Sequence, residues 1–153
     1  MESNLNSELL FETLSEVLED AAFIFTEVAD ESLQFNSDIL KSSIHYNGQE
    51  DGILSLAVDK ITAKTVAANL LGIEPSDEDA EEKSVEAVSE ILNIVCGVFL
   101  ERWLGGQNHC RLGIPSTVSL TAAEEMAALN SSRCNAILED EEGNRIDIFV
   151  SGN

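Results

Sequence analysis

The chain has 153 residues, 44% of them hydrophobic, and carries 8 Lys plus Arg against 29 Asp plus Glu, a formal charge of −21. A chain of this length can build one core without disulfide or metal staples, so a single domain over residues 1–153 is expected. The acidity repels phosphate backbones and anionic headgroups, which excludes nucleic acid and membrane surfaces and leaves proteins or small molecules as partners. Cys96, Cys110 and Cys134 are odd in number and form no C-x-x-C pair. Neither a disulfide framework nor a zinc site is signalled, and a reducing compartment fits. The N-terminal residues lack a basic flank and a continuous apolar run, and no stretch is long enough to span a bilayer, so a cytoplasmic location is expected.

Leu10, Leu14, Val17, Ala21, Phe25 and Val28 recur at three- and four-residue steps among acidic residues, and predict one long amphipathic helix over residues 7–30. Leu40, Ser42, Ile44 and Tyr46 alternate with polar neighbours up to Asn47-Gly48, the signature of a strand entering a hairpin that returns over residues 53–58. Asp59 can accept from the free amides of a following helix over residues 60–71, and Gly72 closes it. Pro75-Ser76 then opens an acidic run to Glu82 suited to the positive end of a helix dipole, with a break near Ser84.

A second long helix follows over residues 84–103. At roughly 100° per residue, Val85, Val88, Leu92, Val95, Cys96, Phe99 and Trp103 form its core stripe. Opposite stand Glu86, Glu90, Asn93 and Gly97, flanked by Ile94, Val98 and Leu100, an unusual mixture for a face turned only to water. Gly105-Gly106 ends the helix. The period then becomes two: Cys110, Leu112 and Ile114 alternate with polar residues, Pro115 interrupts, and Val118 and Leu120 resume, which predicts two strand segments with a kink. Thr121 and Glu124 make a capping box for a short helix to Leu129. A terminal hairpin runs from Asn135 to Asp140, turns at Glu142-Gly143-Asn144, and returns through Ile146, Ile148 and Val150. The fold class is therefore α+β, a mostly antiparallel sheet of five or six strands with two long amphipathic helices packed on one face.

The two histidines lie in no H-E-x-x-H, and the chain has no G-x-S-x-G and no glycine-rich phosphate loop, so a self-contained active site is not expected. His109-Cys110 reads as a strand-edge His beside a core Cys rather than a nucleophile pair, because adjacent strand residues point to opposite faces. Glu90 and Asn93 remain. Three residues apart on a helix, they project from one patch, and Gly97 one turn on leaves room for another surface to approach. A carboxylate can hold a partner's cation and a carboxamide can orient a water, a pair suited to assisting a reaction on another molecule.

Glu90-Ile91-Leu92-Asn93, continuing to Gly97, with Gly113-Ile114-Pro115 downstream, resembles the signature of the CheX/CheC family of chemotaxis phosphatases. Glu86 stands where the family usually has Asp or Ser, and the spacing from Asn93 to Pro115 is one residue shorter than usual. The resemblance implies dephosphorylation of a phosphorylated CheY-type receiver, with Glu90 pairing with a receiver lysine, Asn93 orienting the attacking water, and Glu86, Ile94, Gly97 and Pro115 in the partner-binding surface. It implies that Mg²⁺ is carried by the receiver and that no cofactor sits on this chain. One E-x-x-N helix rather than two is similar to the CheX type, which implies a homodimer. A second reading keeps the fold without the catalysis: a CheX-like domain that binds a receiver or another signalling protein.

Overall fold

The computed structural model describes residues 4–107 and 109–152; the extreme ends of the expected 1–153 domain lie outside the described residues. The chain runs α1 (Ser7–Ala22), β1 (Thr26–Ala29), β2 (Ile39–Asn47), β3 (Gly52–Asp59), α2 (Lys60–Leu71), α3 (Glu78–Glu82), α4 (Ser84–Leu104), β4 (Arg111–Leu112), β5 (Ser116–Leu120), α5 (Ala122–Asn130), β6 (Cys134–Asp140) and β7 (Arg145–Ser151). Among the described residues seven strands form one antiparallel sheet in the order β1-β6-β7-β3-β2-β4, with β5 also on β2.

The even-numbered residues of the central strands, Leu40, Ile44 and Tyr46 on β2, Leu54, Leu56 and Val58 on β3, and Ile146, Ile148 and Val150 on β7, face the main core. On that face α1, α2 and α4 lie side by side, α4 in contact with α1, α2, β2 and β3. Phe99 stacks on Trp103 at 5.4 Å, and Trp103 meets Tyr46 edge-on at 6.4 Å, which locks the C-terminal half of α4 to β2. Each fully buried Leu, Ile or Phe here contributes about 1.5–3 kcal/mol of transfer free energy. The Arg102 guanidinium donates to Glu16 and further ties α4 to α1.

Local chemistry explains most element ends. The Asp59 carboxylate accepts from Thr62 N at 2.9 Å and Gly72 closes α2 at φ 72°, as the sequence predicts. Thr121 and Glu124 form the expected capping box of α5.

Two expectations are corrected. The first helix stops at Ala22, not near residue 30: Phe23 takes a left-handed φ of 56° as its C-cap, and the β-branched and aromatic run Ile24-Phe25-Thr26 leads into β1 on β6. Phe25 and Val28, counted in the helical stripe, are exposed. The outer edge of the terminal hairpin is thereby already paired, and the sheet's open edges are β1 at one end and β4 with β5 at the other. Secondly, the sheet has seven described strands rather than five or six, β1 being the additional one, while the two long helices α1 and α4 share one face as expected. α5 covers part of the opposite face, with Leu129 packed on Ile137 and Phe149.

Candidate functional site

The rigid scaffold of the site is α4. Its buried arc is wider than the wheel indicates, because α1 and α2 flank it: Ile91 and Leu100 are buried, although Leu100 was expected beside the free face. Val85, expected in the core stripe, is exposed in the first turn, where it faces an open groove. The remaining face behaves as the spacing predicts, with Glu86, Glu90, Asn93 and Gly97 all exposed.

A groove of about 430 Å³ between α4 and the β4–β5 connection is lined by Val85, Glu86, Ser89, Glu90, Asn93, Gly113, Ile114 and Pro115. The fold thus brings together Glu86, Glu90, Asn93 and Pro115, which lie on two segments. Ile94 and Gly97 do not line this groove; both are exposed further round and along α4. A Cβ built on Gly97 meets nothing within 4 Å, so the glycine leaves a smooth, open surface beside the pair. Among the described residues neither the Glu90 nor the Asn93 side chain makes a hydrogen bond or ion pair within the chain, whereas Glu86 makes an exposed ion pair with Lys83 at 3.6 Å.

Sequence reasoning missed what holds the groove's two walls together. Ser89 Oγ on α4 lies 3.3 Å from Thr117 Oγ1 on β5 and 3.4 Å from Ser42 Oγ on β2, and Thr117 donates to Ser42 at 3.2 Å. This hydroxyl triangle fixes the rotation of α4 one residue from Glu90 and sets its distance from the strand that follows Pro115. The available signal was Ser42 at a core-facing strand position, where an unpartnered hydroxyl is costly.

Other reactive groups stand apart. Burial pushes the Cys96 thiol up to about 12, so it is an inert core residue. His109 and Cys110 precede β4 rather than lying in a strand; His109 is exposed, and the half-buried Cys110 Sγ donates to Glu50 O at 3.6 Å. Among the described residues no group of three or more His, Cys, Asp or Glu is placed to hold a metal ion. No helix among them is long and apolar enough to cross a membrane. The most perturbed carboxyl is Glu125 on α5, held at about 9 by burial and then by the adjacent Asp147, on the sheet face away from the groove.

Comparisons with known proteins bear on the fold and the family. The chain matches solved structures of CheX from Vibrio vulnificus (20% identity, TM-score 0.70, covering 97% of this chain and 99% of that one) and of the CheX–CheY–BeF3–Mg²⁺ complex from Borrelia burgdorferi (21%, 0.69, 94% and 95%). A CheC-like superfamily protein from a Shewanella species is similar at 17% identity and TM-score 0.61, covering 95% of this chain and 96% of that one. At these identities the likeness establishes the fold. No curated protein matches the chain. The family model described as chemotaxis phosphatase CheX matches residues 41–137, which contain both walls of the groove, and the chain belongs to that family.

Proposed function

We propose that this protein hydrolyses the aspartyl phosphate of a CheY-type receiver domain in trans, ending a chemotaxis or related two-component signal. The observation that carries this reading is the exposed Glu90 and Asn93 pair on one helix face, both side chains without partners among the described residues. Family membership and the Borrelia burgdorferi CheX–CheY–BeF3–Mg²⁺ complex support it.

In phosphoryl transfer the receiver's own Mg²⁺ and polar groups carry the developing charge, so a helper chain has to position the water in line with the leaving oxygen. The Asn93 carboxamide can do so, accepting from the water through its oxygen while its NH₂ group faces other acceptors. Glu90, with no cation of its own, pairs with a lysine of the receiver and registers α4 against it. Glu86 and Pro115 complete the contact within the groove, and Ile94 and Gly97 widen it along the helix. The protein acts in the cytoplasm as one domain without a resident cofactor, and a homodimer joined through an open sheet edge belongs to the same reading; sedimentation giving only monomer at micromolar concentration would remove that part.

The test is Asn93→Ala in a phosphate-release assay with receivers from the same cell. A positioned catalytic group contributes on the order of a hundredfold or more in rate, so accelerated dephosphorylation should vanish while binding to a beryllofluoride-activated receiver is retained. Full activity in the variant, or a wild type that binds a receiver without accelerating its dephosphorylation, would replace this reading with the non-catalytic docking domain.

A further inference from the structure

β4 and β5 both pair with β2, but in different registers. Tyr46 faces Leu112 while Ser43 faces Ser116, so Ile44 and His45 of β2 are matched by three residues, Gly113, Ile114 and Pro115. The additional residue is a bulge, anchored by Gly113 N donating to His45 O at 2.8 Å. A bulge bends its strand and changes the faces to which the flanking side chains point. Leu112 accordingly shares a face with Tyr46, toward the main core, whereas Val118 is opposite Lys41 on the other face.

Ile114 is turned out to solvent. It is 93% exposed, the most exposed of the large hydrophobic residues described, ahead of Val28 at 71%. It forms a crest between two depressions, the groove that holds Glu90 and Asn93 and a second on the outer sheet face lined by Lys41, His45 and Phe149. Val85, also exposed, extends the apolar surface across the first groove. An apolar side chain aimed outward by a bulge, in one groove with Glu90, whose carboxylate has no side-chain partner among the described residues, fits a partner surface with an apolar hollow next to a cation.

We propose that Ile114 is the apolar anchor with which this protein grips the phosphorylated receiver and selects among receivers. The inference rests on the phosphatase reading above, and its occupant is argued from continuity: Ile114 and the Glu90/Asn93 pair are walls of one groove. Glu90 and Asn93 address features that any phosphorylated receiver offers, a lysine and a water. Discrimination therefore falls to the side chain whose counterpart varies in shape, and a buried aliphatic contact is the kind of group that dominates an interface when desolvated.

The experiment measures kcat, KM and the Kd for the beryllofluoride–Mg²⁺ form of the receiver with wild type, Ile114→Ser, Ile114→Leu and Asn93→Ala. Ile114→Ser should raise KM and Kd about tenfold with kcat unchanged, because uniform binding is lost. Ile114→Leu should recover most of the affinity, and Asn93→Ala should lower kcat alone. Circular dichroism and Tm should match wild type for the serine variant, since Ile114 contributes nothing to the core. Unchanged KM and Kd for Ile114→Ser with an active wild type would overturn the anchor and leave the phosphatase reading intact. A fall in kcat with Kd unchanged would also overturn it, placing Ile114 in positioning rather than grip. A wild type inactive toward every receiver would overturn both.

Discussion

Glu90 and Glu125 are both helical glutamates, and their surroundings differ in nearly every respect. Glu90 lies on the open face of α4, its side chain without a partner among the described residues. Glu125 is 1% exposed on α5, against a sheet face where Asp147 is held by Arg145 through bonds of 2.7 and 3.1 Å, while the Arg145 guanidinium also donates to Leu33 O at 2.9 Å and stacks over Phe35. Neither oxygen of Glu125 finds a donor, which is consistent with a neutral carboxyl that itself donates toward Asp147. A strongly shifted carboxyl is often taken as the mark of a site. Here it marks a buried cluster on the far side of the sheet, whereas the proposed function falls to the accessible carboxylate, whose task there would be to meet a cation on another molecule.

The sharpest way to break this contrast is at the buried cluster. Asp147→Ala strands the buried Arg145 charge and should destabilise the fold by about 3–5 kcal/mol in denaturant titration, while the chemistry of whatever remains folded is unaltered. Next in size is a pH effect. The folded value of Glu125, about 9, lies above its ordinary 4.5, so between those values the folded chain keeps a proton that the unfolded chain has lost. The contribution to stability is thus full below about 4.5 and is lost as pH rises toward about 9, with a slope of at most about 1.4 kcal/mol per pH unit. Glu125→Gln should flatten that slope in urea titrations across the range; an unchanged slope would mean that other groups set it. Smallest in stability is Gly97→Leu on the functional face. With open space around its Cβ the substitution should stabilise α4 by somewhat under 1 kcal/mol, yet the bulkier side chain should abolish receiver binding in a pull-down or titration. A Gly97→Leu variant that binds normally would remove that part of α4 from the contact.

Features written in local chemistry were legible in the sequence. The Asp59 and Gly72 caps, the Thr121/Glu124 capping box, the break before Ser84 and the terminal hairpin each depend on residues within a few positions of one another. So did the Glu90/Asn93 patch, since one helical turn puts both side chains together. The end of α1 was not legible, because Phe25 and Val28 continue the spacing of Leu10, Leu14, Val17 and Ala21 while belonging to a strand segment chosen by β6. The bulge at Ile114 arises from a register offset against β2, and the hydroxyl triangle joins α4, β2 and β5. The burial of Glu125 depends on α5 docking against β7. None of these has a period or a motif, since each is decided by where distant strands align.

The pairing of β1 with β6 also bears on how the protein acquires its shape during synthesis. Thr26 is matched with Asp140, so a strand made early in this domain waits for one made more than a hundred residues later before it has a neighbour. Helix α1, which packs on β6 and β7 as well as on α4, waits with it. Closing so long a loop costs entropy before any contact repays it, and such non-local pairing slows folding. The nascent chain therefore holds an amphipathic helix and an unpaired strand in the open until its C-terminal hairpin arrives, and the dense negative charge that flanks both segments keeps neighbouring chains apart in that interval.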